Sequence, residues 1–281
     1  MRRAGNSFRN ALKYSIAGLA GLAALVPGTG SAQGDLLIAP TRLILDGRRG
    51  GEVILANQGN EEATYRISLE LRRMDEDGNL VPVEESEATA GEKAALEMIR
   101  YAPRRVTLPP AQPQSVRISA RPGADLPDGE YRVHMSFAAL PKVQAVAQQP
   151  TCVANGVSIA LTPIYGVVMP IIVRKGSVEV TGGLANPRLT KTEYGDAFAI
   201  DMIRSGTSSL YGDILVFRRG ANEPAFIARG VGVYPEIGER HSTFDITPEQ
   251  RAALTGPVRI EYREASENGG GLIAAIDGVL G

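Results

Sequence analysis

Thr64-Tyr65-Arg66-Ile67-Ser68-Leu69-Glu70-Leu71 alternates without a break, with Tyr65, Ile67, Leu69 and Leu71 on one side and Arg66, Ser68 and Glu70 on the other. A period of two needs one dry and one wet face, the signature of a strand in a half-buried sheet. The same grammar continues in both directions. Upstream, Leu36–Leu45 is strand-like, Asp46-Gly47 and Gly50-Gly51 turn the chain, and Glu52–Asn57 reads as the next strand, ended by Asn57-Gln58-Gly59-Asn60. Downstream, Asp75–Asn79 reads as a hairpin turn, because the twelve-residue ligand spacing of a calcium loop is absent. Gln114–Ser119 and Glu130–Leu140 are further strands, and residues 84–99, rich in Glu and Ala, read as a surface excursion with a helical turn. Short alternating runs punctuated by Gly, Pro, Asn and Asp predict an all-β chain built of sandwiches.

With 281 residues the chain exceeds one ordinary domain of roughly 100–150 residues. Arg174-Lys175-Gly176-Ser177 is the expected junction. Beyond it Ala197–Arg204, Leu210–Phe217, Ala225–Tyr234, His241–Ile246 and Val258–Arg263 predict a second, smaller sandwich, and Gly269-Gly270-Gly271 reads as a turn. The expected division is 1–32 as a secretory signal, 33–174 as the first domain and 175–281 as the second. The signal reading rests on Arg2, Arg3, Arg9 and Lys13 without an acid, an apolar run from Ser15 to Val26, and the small residues Gly30-Ser31-Ala32. That run falls short of the roughly 20 residues a membrane span needs. Cleavage near Ala32 would release a chain with five more acids than bases, outside the cytoplasm and without membrane insertion.

Several chemistries are disfavoured. Lys+Arg 30 against Asp+Glu 31 gives a net charge of -1, which argues against nucleic acid as a partner. One cysteine, Cys152, excludes a disulfide within the chain. His134 and His241 are far apart in sequence and no Gly-x-Ser-x-Gly elbow occurs, so no catalytic residue, no metal site and no cofactor is expected.

One stretch stays open on pattern alone. Val157, Ile159 and Leu161 alternate with small or polar residues, and from Pro163 to Val173 the run is continuously apolar; no charge falls between Val157 and Val173. Pro163 and Pro170 suit an edge strand. An uncharged edge is either covered by the second domain or left free to pair with a foreign chain.

Four segments carry a resemblance: Ile38-Ala39-Pro40-Thr41-Arg42-Leu43-Ile44-Leu45; Asn57-Gln58-Gly59; Pro103-Arg104-Arg105-Val106-Thr107-Leu108-Pro109 followed by Gln114-Ser115-Val116-Arg117-Ile118; and Leu126–Met135, which contains Asp128-Gly129-Glu130-Tyr131-Arg132. In this order and spacing, with a weaker match at Val233-Tyr234-Pro235, the chain resembles the periplasmic pilus-assembly chaperones of the chaperone-usher pathway, as a divergent branch. The resemblance implies two immunoglobulin-like sandwiches in tandem, set at an angle. It further implies a non-enzymatic periplasmic protein that caps pilus, fimbrial or coat-type subunits and delivers them to an outer-membrane usher. In that family a strand of the chaperone completes the subunit's fold by strand addition. Here that role falls on Val157, Ile159, Leu161 and Pro163, each buried apolar side chain contributing roughly 1.5–3 kcal/mol.

The family also holds the subunit's C-terminal carboxylate with an Arg and a Lys. The Arg falls on Arg42, with Thr41 beside it; the Lys position falls on Tyr165, and the Arg expected before Pro170 is Met169. Either Arg174 or Lys175 replaces the lysine, or Tyr165 donates a neutral hydrogen bond. A two-domain structural or adhesive module without chaperone activity is the alternative.

Overall fold

In a computed structural model, the described residues are 36–141, 152–154, 157–159, 164–265 and 269–281. The leader at 1–32 lies outside them. β1 (Leu36–Ala39) stops at Pro40, which has no N–H to continue a ladder, and the chain resumes as β2 (Leu43–Leu45). The expected single strand over Leu36–Leu45 is therefore two, and they join different sheets. β3 (Gly51–Asn57) and β4 (Ala63–Met74) follow, β4 burying Tyr65, Ile67 and Leu71 as its alternation requires.

β5 (Leu80–Val83) folds back on the last four residues of β4. A 3-10 turn at Glu85–Glu87 leads to helix α1 (Ala90–Met98), whose start is fixed by a reciprocal capping box between Thr89 and Glu92. This corrects the surface reading of residues 84–99: Ala88, Ala95, Met98 and Ile99 are buried in the first core, and Arg73 grips Glu92 with two 2.7 Å hydrogen bonds. A composition of Glu and Ala hid an apolar stripe only two side chains wide.

β6 (Ile99–Ala102), β7 (Arg105–Leu108), β8 (Gln114–Ala120) and β9 (Gly129–Leu140) continue the sandwich. β10 (Cys152–Ala154) and β11 (Val157–Ile159) form a hairpin of their own, so the run expected from Val157 to Val173 is not one strand; its main part is β12 (Gly166–Lys175). One sheet has the order β1-β3-β8-β6. The other has β2-β12-β9-β4-β5, with β7 also on β4. Val53, Leu55, Val116, Ile118, Val133, Met135, Phe137, Met169, Ile171 and Val173 fill the space between them.

The second sandwich uses β13 (Val180–Thr192), β14 (Gly195–Gly206), β15 (Leu210–Arg218), β16 (Pro224–Val233), β17 (Glu239–Asp245), helix α2 (Pro248–Leu254), β18 (Gly256–Glu264) and β19 (Leu272–Leu280). β13-β14-β17 faces β16-β15-β18-β19 across Phe198, Ile200, Met202, Ile214, Val216, Ile260 and Tyr262. β13 has a bulge at Asn186-Pro187, where Asn186 takes φ 49°. Its weak alternation and that of β19 left both unread in the sequence.

A third, smaller cluster joins the two sandwiches: Met74, Ile172 and Tyr234, flanked by Leu80 and Ile237. Ile171 and Val173 face the first core while Ile172 faces this cluster. A strand covered on both sides loses its alternation, which explains the continuous apolar run before Arg174.

Candidate functional site

Polar side chains gather where the sandwiches meet. Leu43 of β2 pairs in parallel with Ile171 of β12, which places Arg42 at the mouth of that pair. Its guanidinium lies 4.4 Å from the ring centre of Tyr211 and 5.9 Å from that of Tyr234, both within cation–π range. Nη2 donates to Ser209 Oγ at 2.7 Å, whereas Nε and Nη1 are buried and have no partner. Burial lowers the Arg42 pKa, yet a guanidinium starts so high that it stays cationic.

Ser209 passes the contact on. Its hydroxyl donates to Glu130 Oε2 at 2.9 Å and its backbone N–H to the same oxygen at 3.1 Å. Arg174 Nε reaches that oxygen at 3.3 Å, and Glu130 Oε1 is buried without a partner. The result is a chain of Arg42, Ser209, Glu130 and Arg174 with one planar cation left two donors short. A carboxylate or comparable planar anion would complete it.

On β9, Val133 and Met135 face the first core, so Arg132 and His134 face the second sandwich. Arg132 stacks 3.7 Å from the Tyr234 ring centre and pairs with Glu236. His134 is fully buried, meets Tyr234 edge to face at 6.5 Å, and has no hydrogen bond at either ring nitrogen. Burial first, then the charges of Arg132 and Arg72, push its pKa down to about 3, so the ring is neutral.

The sequence-predicted residues divide. The rings beside Arg42 are Tyr211 and Tyr234 rather than Tyr165, which is 49% exposed and whose carbonyl accepts from Ala139 N–H at 2.9 Å. Tyr165 stands five residues before Pro170, about 16 Å along the chain at strand spacing. Thr41 is exposed next to Arg42. Met169 is buried in the first core, Lys175 Nζ is taken by the carbonyls of Ala124 and Leu126, and Arg174 is joined to Arg42 through Glu130. Val157 and Ile159 lie in β11; Leu161 and Pro163 fall outside the described residues. Ile164, Tyr165 and Val167 lead into β12 with their side chains open to solvent. Among the described residues, Gly166–Pro170 pairs only on its β9 side, since β2 begins its contact at Ile171.

Sequence reasoning missed Ser209 and Tyr211, which sit in no quoted motif. Glu130 and Tyr234 did lie in such motifs, without an assigned role. One further polar cluster stands apart: Asp201, Glu239 and His241 hold ligand-type atoms within 4.8 Å of one another. Asp201 is already engaged by Asn186 at 2.8 Å, Arg188 at 3.3 Å and His241 at 3.0 Å, so an arginine sits where a cation would bind. No helix among the described residues is long and apolar enough to cross a membrane.

No family model matches the chain, and no curated protein does. Solved structures do match. The CsuC–CsuE chaperone–tip adhesion subunit pre-assembly complex of Acinetobacter baumannii aligns at 10% identity, covering 87% of this chain and 97% of that one, with a TM-score of 0.44. The SafB chaperone in complex with the SafA pilin of Salmonella enterica aligns at 17% identity over 88% and 97%, with a TM-score of 0.42. The CupB2 chaperone of Pseudomonas aeruginosa gives 12% over 87% and 100%, with a TM-score of 0.44.

Proposed function

We propose that this chain is a periplasmic chaperone which caps pilus, fimbrial or coat-type subunits by donor-strand complementation and hands them to an outer-membrane usher. The observation that carries the reading is Arg42: a cation held between two rings, buried at Nε and Nη1, with both of those donors unused. Buried donors without partners are costly, and their persistence at a cleft marks a place where a ligand supplies the missing acceptors. The subunit's terminal carboxylate fits that vacancy, and the resemblance at Pro40-Thr41-Arg42 assigns it the same ligand.

The one-sided edge of β12 and the uncharged segment before it fit strand donation. In this reading 33–174 supplies the donor segment, with Val157, Ile159, Leu161 and Pro163 entering the subunit's groove, and 175–281 supplies the second wall of the carboxylate site through Ser209, Tyr211 and Tyr234. Tyr165 then belongs to the donor segment rather than to the anchor. Capping requires no catalytic group, and assembly would draw its energy from subunit folding.

The test is co-purification from the periplasm with each small exported β-protein co-produced alongside the chain. The wild type should co-isolate one to one with its subunit. Ile159→Asp combined with Leu161→Asp should cut the yield at least tenfold while the chaperone itself accumulates normally. Undiminished recovery of every such protein would overturn the reading.

A further inference from the structure

We propose that the β4–β5 hairpin is a strap that fixes the two sandwiches as one body and, through Glu236, Arg132 and Tyr234, sets the wall against which Arg42 is presented. Two sandwiches joined by a short linker are expected to move relative to each other unless a substantial contact holds them. Here the contact is made by a hairpin of the first sandwich that reaches the second.

Its stem is anchored at Met74, whose N–H donates to Glu236 Oε1 at 2.7 Å. The same carboxylate accepts from both terminal nitrogens of Arg132. Met74 packs with Ile172 and Tyr234, and Leu80 and Ile237 close the cluster from either side. At the tip, the Glu76 carbonyl accepts the His241 N–H at 2.6 Å. β17 is an edge strand, so this bond covers part of its free edge. Gly78, at φ 84°, lies so close to Arg240 that a Cβ there would sit 2.1 Å from its Nε. The tip is itself stiff: Asp75 Oδ1 accepts from the N–H groups of Asp77 at 3.1 Å and Asn79 at 2.7 Å.

Force passes from this strap to the candidate site in short steps. Glu236 orients Arg132, Arg132 lies flat on Tyr234, and the opposite part of the same environment is Arg42. The consequence for Arg42 rests on the functional reading above; the strap itself does not.

Two spin labels on the full chain test it, at Glu97→Cys and Glu223→Cys in a Cys152→Ser background, one on each sandwich. The unmodified hairpin should give one narrow interspin distance. Leu80→Asp, which puts a charge into the joining cluster, and Glu236→Ala should each broaden that distribution at least twofold. Gly78→Trp perturbs only the tip and serves if either fails to fold. Folded variants with an unchanged width would overturn the strap, whatever subunit capture does. Capture measured on the same variants should fall at least fivefold; broadening with capture intact would overturn the link to Arg42 and leave the chaperone reading, tested separately, untouched.

Discussion

Two arginines, one buried and one half-buried, treat their surroundings in opposite ways. Arg204, on β14, spends its guanidinium on four carbonyls: Ile237 at 3.1 Å, Gly206 at 2.8 Å, Ser208 at 3.0 Å and Pro235 at 3.0 Å. It closes the turns at one end of the second sandwich and has one of its five N–H groups left. Arg42 makes one side-chain hydrogen bond and keeps Nε and Nη1 idle. Burial lowers the pKa of both, so electrostatics alone does not separate them. Hydrogen-bond accounting does: the fold itself engages all three guanidinium nitrogens of Arg204 but only one of those of Arg42.

The largest effect expected from that contrast is on stability. Arg204→Ala would strand four carbonyls near the turns and should cost about 3–4 kcal/mol in urea unfolding. Arg42→Ala removes two unsatisfied donors with one satisfied, and should change stability by about 1 kcal/mol or less. In subunit capture the order reverses. Arg42→Ala should lose roughly 100-fold in affinity, the worth of a paired charge-assisted contact, while Arg204→Ala, where it folds, should bind normally. Equal losses of stability in the two variants would erase the distinction.

His134 sharpens the contrast from another side: its ring nitrogens are also without partners, but they belong to a fully buried, neutral ring. Arg132, Arg72 and Tyr234 surround it, and Glu70 is its register partner across β4. Its folded pKa of about 3 lies below the unfolded value near 6.5. The unfolded chain therefore takes the proton first, and stability is full above pH 6.5 and falls as pH drops toward 3. His134→Leu should flatten the stability profile between pH 6.5 and 5, above the range in which Glu92, with a pKa lowered to about 2 chiefly by Arg73, begins to matter. An unchanged slope in urea titrations would show that the ring is not buried as described.

Much of the fold was legible because it repeats a local rule. Tyr65, Ile67 and Leu71 face inward as their spacing demands, and so do Val116 and Ile118. Failures came where a residue serves two masters or none. Ile172 faces a joining cluster, so its strand reads as uniformly apolar; α1 buries two residues in nine and reads as surface. At the site, Arg42 was legible through a motif. Ser209 and Tyr211 were not, because their importance comes from lying within reach of a residue some 167 positions away, and a serine before a strand is common everywhere. The lysine that the resemblance calls for does not occur in the sequence between Val157 and Val173; the side chains beside Arg42 are the rings of Tyr211 and Tyr234 and the Ser209 hydroxyl.

The smallest effect tests whether that hydroxyl orients the arginine or only fills space. Ser209→Ala removes the acceptor of Arg42 Nη2 but leaves Glu130 Oε2 with the Ser209 N–H and Arg174. The hydroxyl's two hydrogen bonds, from Arg42 and to Glu130, are both lost, so stability should fall by about 1–2 kcal/mol. Capture should weaken only a few-fold, since the guanidinium remains but is held less firmly. Orientation and packing part ways in the double variant. If Ser209 acts only through Arg42, adding Ser209→Ala to Arg42→Ala should cost no further affinity, a non-additive cycle. If the two losses simply add, Ser209 contacts the partner by itself, and the anchor has two donors from two sandwiches rather than one arginine with a support.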